Sequence, residues 1–135
     1  MEINDKKELT EEERKNAYVL WFNQLRRADV ALVGGKSASL GELTSGTDVP
    51  VPYGFATTAH GYRHFMEVNG LNEKVNALLA TLKDPEDSEE LHRVCSQIRK
   101  IMREAPMPED LAEDIGNSYD ELAKMTGQNE PYVAV

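Results

Sequence analysis

Two adjacent glycines, Gly34 and Gly35, interrupt the stretch VGGKSASLGEL over residues 33–43 and constrain the fold more than any other feature of the chain. Glycine adopts backbone angles closed to other residues and lets a ligand approach the main chain, so a sharp turn is expected here. Ser37, Ala38, Ser39 and Leu40 then suit a helix, which the pattern predicts over 36–45 with Ser45 and Gly46 as its stop. A helix opening on such a turn presents unpaired amides, and those amides together with the helix dipole favour an anion in front of them. Lys36 supplies a flexible positive charge of the kind used on phosphates. The spacing matches neither the Walker phosphate loop nor the dinucleotide fingerprint. On these residues alone a tight turn followed by a solvated lysine is the competing reading.

Around this turn the chain reads as short strands and amphipathic helices. AYVLWFNQL, residues 17–25, is dense in aromatic and β-branched residues and is expected to form a buried strand. Pro50 and Pro52 bar a central ladder, whereas GFATT after them suits a second short strand. Thr58 is a candidate N-cap for a helix that Gly70 closes, and Leu71, Val75, Leu78, Leu79 and Leu82 mark the next. Leu91, Val94, Cys95, Ile98, Ile101 and Met102 form one stripe on a helix starting at Ser88. Leu111, Ile115, Tyr119 and Leu122 mark another, which follows Pro108 and ends near Gly127. PYVAV at residues 131–135 reads as the opening of a further buried strand. The expected class is α+β, a mixed α/β core with about five packed helices.

The 135 residues suffice for one domain with a real core. Residues 1–16 are polar and charged and read as a flexible tail or a short solvated helix, leaving 17–135 as the folded part. With 24 acidic against 15 basic residues and a formal charge of -9, a general nucleic-acid surface is excluded. No run of roughly 20 apolar residues is present and the start is not signal-like, so a cytoplasmic location with no membrane partner is expected. The lone Cys95 lies on an apolar stripe and reads as a small core residue.

Other chemistry-bearing residues are weaker candidates. His60, His64 and Glu67 share one helix face at metal-ligand spacing, but nothing supplies a fourth ligand, so a polar surface and no metal site is expected. His92 stands among charged residues. The acidic cluster from Asp84 to Glu90 reads as a solvated linker and helix start, where negative charge suits the dipole.

Taken in order, VLWFNQL, VGGKSASLGEL, VPVPYGFATT and YVAV resemble the opening of phosphoenolpyruvate synthase and its relatives, including pyruvate phosphate dikinase. The resemblance spans residues 18–135. It implies the first part of an ATP-grasp type nucleotide-binding domain, cut short at its C-terminal end, with ATP and Mg2+ as ligands. It also implies that Lys36 contacts the nucleotide phosphates and that Gly34 and Gly35 form the turn beside it, with Ser37 next to them.

The family's arginine-serine-serine motif would follow Val135, and most magnesium ligands, the phosphohistidine domain and the pyruvate barrel would lie farther on. None of His60, His64 and His92 matches the phosphorylated histidine. The activity implied for a whole enzyme is transfer of a phosphoryl group from ATP, through that histidine, to pyruvate. In sibling enzymes the acceptor is phenol, rifamycin or a glucan. This segment alone is expected to be inactive, and its partners are ATP and the remaining domains or subunits. A non-catalytic acidic helical domain that docks a partner protein is the alternative from a different class.

Overall fold

The computed structural model describes residues 8–135. In chain order the elements are α1 (Glu11–Asn16), β1 (Val19–Trp21), α2 (Val30–Val33), α3 (Gly35–Gly46), β2 (Phe55–Thr57), α4 (Ala59–Val68), α5 (Leu71–Leu79), α6 (Ser88–Glu104) and α7 (Glu109–Thr126). Single 3-10 turns at Phe22–Gln24 and Arg27–Asp29 lie between β1 and α2. The mixed α and β character expected from the sequence is observed. The chain divides after Tyr62 and again after Pro108 into two compact units.

The unit that holds the glycine turn is built around the antiparallel pair β1 and β2, in register Val19 with Thr57, Leu20 with Ala56 and Trp21 with Phe55. Opposed residues share a face of the sheet. Leu20, Ala56 and Leu25 form the core cluster, with Leu9, Ala17, Phe22, Leu32 and Val33 packed against it. Trp21 and Phe55 meet with ring centroids 5.3 Å apart at a tilt of 57°. α7 turns Leu111, Ser118 and Leu122 inward. Its C-terminal end is closed by Gly127, at φ +71°, and by the Gln128 amide donating to the Ala123 carbonyl at 3.1 Å.

Two strand expectations change. The segment 17–25 is a strand only over Val19–Trp21, because the Gln24 side chain accepts the Trp21 amide at 2.9 Å and the chain turns after it. Residues 131–135 form no ladder: Pro131 is buried and its carbonyl accepts the Tyr119 hydroxyl at 3.0 Å, but Tyr132 and Val135 are fully exposed. A strand needs a partner for its amides, and none stands beside this segment among the described residues.

Of the charged residues 1–16, the first seven lie outside the described residues, and 11–16 form α1. Thr10 and Glu13 build a reciprocal capping box at its start.

In the unit spanning Arg63–Pro108, α5 packs on α6. Met66, Leu71 and Val94 are buried there, and Cys95 is half-buried. The Asn69 amide side chain donates to the Phe65 carbonyl at 2.9 Å and the Pro106 carbonyl at 3.0 Å. The acidic stretch is used by its own backbone. Glu90 accepts the amides of Lys83 and Asp84 at 2.9 and 3.1 Å, and Asp87 caps α6 through the amides of Glu89 and Glu90.

Candidate functional site

Gly34 has φ +82° and ψ 166°, a region of backbone space that is essentially restricted to glycine. Its amide closes α2 by donating to the Val30 carbonyl at 2.8 Å, and its carbonyl accepts the first bond of α3 from Ala38 at 3.1 Å. One residue therefore ends one helix and starts the next. Gly35, Lys36 and Ser37 fill the first turn of α3, where amides have no partner within the helix, and no side chain caps them. Gly34, Gly35 and Lys36 are exposed and Ser37 is half-buried. A Cβ at either glycine would meet nothing within 4 Å, so the space before the turn is open. Lys36 makes no ion pair with any described residue.

What holds α3 in place is close approach rather than an apolar stripe. Its buried residues are Ala38 and Gly41, both small, which brings the helix backbone against the 3-10 turns before it. The side chain of Glu42 accepts the Arg27 amide at 3.0 Å and ties the middle of α3 to the loop that leads into the glycine turn. The Arg14 guanidinium on α1 donates to the Gln24 carbonyl and to the Asp29 carboxylate. Arg14 carried no signal in the sequence, where it stands in the charged run EEERK. Glu42 sits in the LGEL block without any cue that its carboxylate turns back on the chain.

A cavity of about 230 Å³ opens beside α3 near Thr44, lined by Trp21, Phe22, Val49, Tyr53 and Met125 among others. Thr44 lies eight residues after Lys36, about 12 Å along the helix axis. The cavity and the glycine turn thus occupy opposite ends of α3.

The histidines lie elsewhere. His60 stacks on Tyr18 with centroids 5.4 Å apart and rings 12° from parallel. The Tyr18 hydroxyl donates to Asp110 at 2.9 Å. That bond, together with partial burial and the charges of Asp110 and Asp114, pushes the phenol above its ordinary pKa. His92 is exposed. Among the described residues no three His, Cys, Asp or Glu side chains gather where they could hold a metal ion. No helix among them is long and apolar enough to cross a membrane.

Residues 30–135 match the family described as pyruvate phosphate dikinase, AMP/ATP-binding domain. The chain is 46% identical over 121 residues to the phosphoenolpyruvate synthase of Neisseria meningitidis serogroup B, covering 87% of this chain and 15% of that protein. It is 42% identical over 118 residues to a probable phosphoenolpyruvate synthase of Methanocaldococcus jannaschii, covering 87% of this chain and 10% of the relative. Against the phosphoenolpyruvate synthase of Aquifex aeolicus it is 33% identical over 126 residues, covering 91% of this chain and 15% of the relative. The chain belongs to the phosphoenolpyruvate synthase and pyruvate phosphate dikinase family and matches its N-terminal, AMP/ATP-binding part. It spans between 10% and 15% of the length of these three relatives.

Proposed function

We propose that this chain contributes the glycine-turn half of the ATP site in a phosphoenolpyruvate synthase-like phosphotransferase. Lys36 and the amides of Gly35, Lys36 and Ser37 bind the nucleotide phosphates. The observation that carries this reading is the glycine-only conformation of Gly34, which delivers an uncapped helix start and an exposed, unpaired lysine to open space. Amides aimed along a helix dipole stabilise phosphate oxygens, and the lysine neutralises part of their charge.

Phosphoryl transfer depends on positioning and on charge stabilisation more than on covalent work by the protein. This chain's part is to fix the phosphates against α3. In this reading the nucleotide-binding domain is of the ATP-grasp type and lies in the cytoplasm, and the phosphoryl group passes from ATP to a histidine on another domain and then to pyruvate. Pyruvate is the proposed acceptor because the matched relatives are phosphoenolpyruvate synthases. In the same reading most magnesium ligands lie outside this segment, and among the described residues no cluster of His, Cys, Asp or Glu is fit to hold a metal ion.

The test is a titration with ATP and magnesium followed by amide shifts in solution NMR, paired with Lys36→Ala in the full-length protein. Shifts confined to Gly34–Ser39 and a strong loss of phosphoryl transfer at unchanged stability are expected, because an exposed lysine contributes little to folding. Undisturbed amides there, or full activity in Lys36→Ala, would refute the reading. The isolated chain is expected to turn over nothing and to bind ATP weakly.

A further inference from the structure

We infer that Arg14 is a positioning residue for the glycine turn, acting through Asp29, although it lies before the family match begins at residue 30. The inference rests on the phosphate-binding reading of Lys36.

Arg14 reaches two acceptors that no single ammonium could serve in the same way, the Gln24 carbonyl and the Asp29 carboxylate. Both partners of the ion pair are mostly shielded, with side chains 21% and 15% exposed. Asp29 also accepts the Arg26 amide at 2.7 Å, while its own amide donates to the Arg26 carbonyl at 3.0 Å. The carboxylate therefore locks the 3-10 turn at Arg27–Asp29 and anchors it to α1.

Asp29 is the residue from which α2 starts, yet its side chain does not cap that helix. It is turned to Arg14 instead. α2 is a single turn, Val30–Val33, and its last bond is the one from the Gly34 amide. Only the four residues of α2 thus separate Asp29 from Gly34, so a shift of Asp29 is carried to the glycine turn with little slack. Glu42 holds the same loop from α3 through the Arg27 amide. The segment is thus held by side chains from both α1 and α3, and Arg14 supplies the hold that comes from outside the α2–α3 pair.

Removing Arg14 leaves Lys36 and the α3 amides intact but frees the turn that aims them. Misplacement of a binding group by a fraction of its contact distance weakens the interaction without deleting it.

The experiment is steady-state kinetics on the full-length protein with Arg14→Gln, Asp29→Asn, the double variant and Lys36→Ala. For Arg14→Gln a rise of about tenfold in KM for ATP is expected, with KM for the second substrate unchanged. A merely structural role would lower the melting temperature and the active fraction, which reduces maximal velocity and leaves KM for ATP where it was.

If the effect runs through Asp29, the double variant is no more than about twofold worse than Arg14→Gln. Should Arg14→Gln fail to fold, Arg14→Lys, which keeps the charge but reaches one acceptor, carries the same test with a smaller rise. An unaltered KM for ATP in the Arg14 variants, alongside a defect in Lys36→Ala, overturns this inference alone. Fully additive effects of Arg14 and Asp29 overturn the coupling. Normal ATP use by Lys36→Ala overturns the phosphate reading, and the role of Arg14 falls with it.

Discussion

Gly41 of α3 lies so close to Leu25 that a Cβ at position 41 would stand 2.9 Å from both the carbonyl carbon and the carbonyl oxygen of Leu25. Alanine in place of glycine favours a helix by about 1 kcal/mol. Here the obstruction is backbone of a fully buried residue, which cannot swing away. Overpacking of this kind costs about 1–3 kcal/mol and often more against main chain. Gly41→Ala should therefore destabilise the protein by about 2 kcal/mol net. Urea denaturation measures it, and a midpoint at or above that of the parent protein would show that the contact is looser than described.

The two glycines of the turn respond differently because only one has a special conformation. Gly34→Ala forces a side chain into backbone space at φ +82°, at a cost of about 1–3 kcal/mol. Gly35 has ordinary helical geometry and open space around it, so Gly35→Ala should leave stability within about 0.5 kcal/mol of the parent. Both substitutions should weaken ATP binding by calorimetry, the first by moving the turn and the second by placing a methyl group where phosphate oxygens approach. Unchanged ATP affinity in the stable Gly35→Ala variant would count against direct contact at that amide.

Thr58, 4% exposed, donates its hydroxyl hydrogen bond to the Ala17 carbonyl and accepts the Gly61 amide at 3.1 Å. It thereby starts α4 and ties that start to Ala17, two residues before β1. Thr58→Val keeps the shape and loses both bonds, which should cost about 2 kcal/mol from the missing cap and the stranded carbonyl. Thr58→Ser should retain most of the stability. Equal melting temperatures for the valine and serine variants would show that the hydroxyl does not matter.

Tyr18 makes stability depend on pH at the alkaline end. Its bond to Asp110, partial burial and the nearby carboxylates raise its folded pKa above the ordinary value of 10.0. The neutral phenol is the favoured folded form, so this contribution is complete below about pH 10. It is lost as the pH climbs from there through the raised folded value, because the unfolded chain releases its proton first. Tyr18→Phe should remove that part of the alkaline slope in denaturation measured at several pH values. A slope that Tyr18→Phe leaves untouched would mean that another group controls it.

Local signals in the sequence located most elements. Gly34, Gly70 and Gly127 all have positive φ and each stands at a helix end, because the lack of a Cβ decides the angle without help from distant residues. Leu91, Val94, Ile98 and Ile101 recur at helical spacing and lie on α6. The Gly34–Gly35–Lys36 turn with a helix behind it was legible for the same reason.

Side-chain placements that depend on distant partners were not legible. Residues 17–25 look like one long strand by composition, yet Gln24 folds its side chain back on the Trp21 amide after three residues. PYVAV has strand chemistry but no neighbour to complete a ladder among the described residues.

What the sequence alone determined is therefore the set of backbone breaks, caps and stripes, including the turn that bears Lys36, since each follows from angles and periodicities within a few residues. Only the tertiary structure decided how that turn is held. The Gly41–Leu25 approach, the Glu42 bond to Arg27 and the Arg14–Asp29 pair join residues about 15 positions apart. Such contacts arise from packing, in which charge and volume are matched across space rather than along the chain.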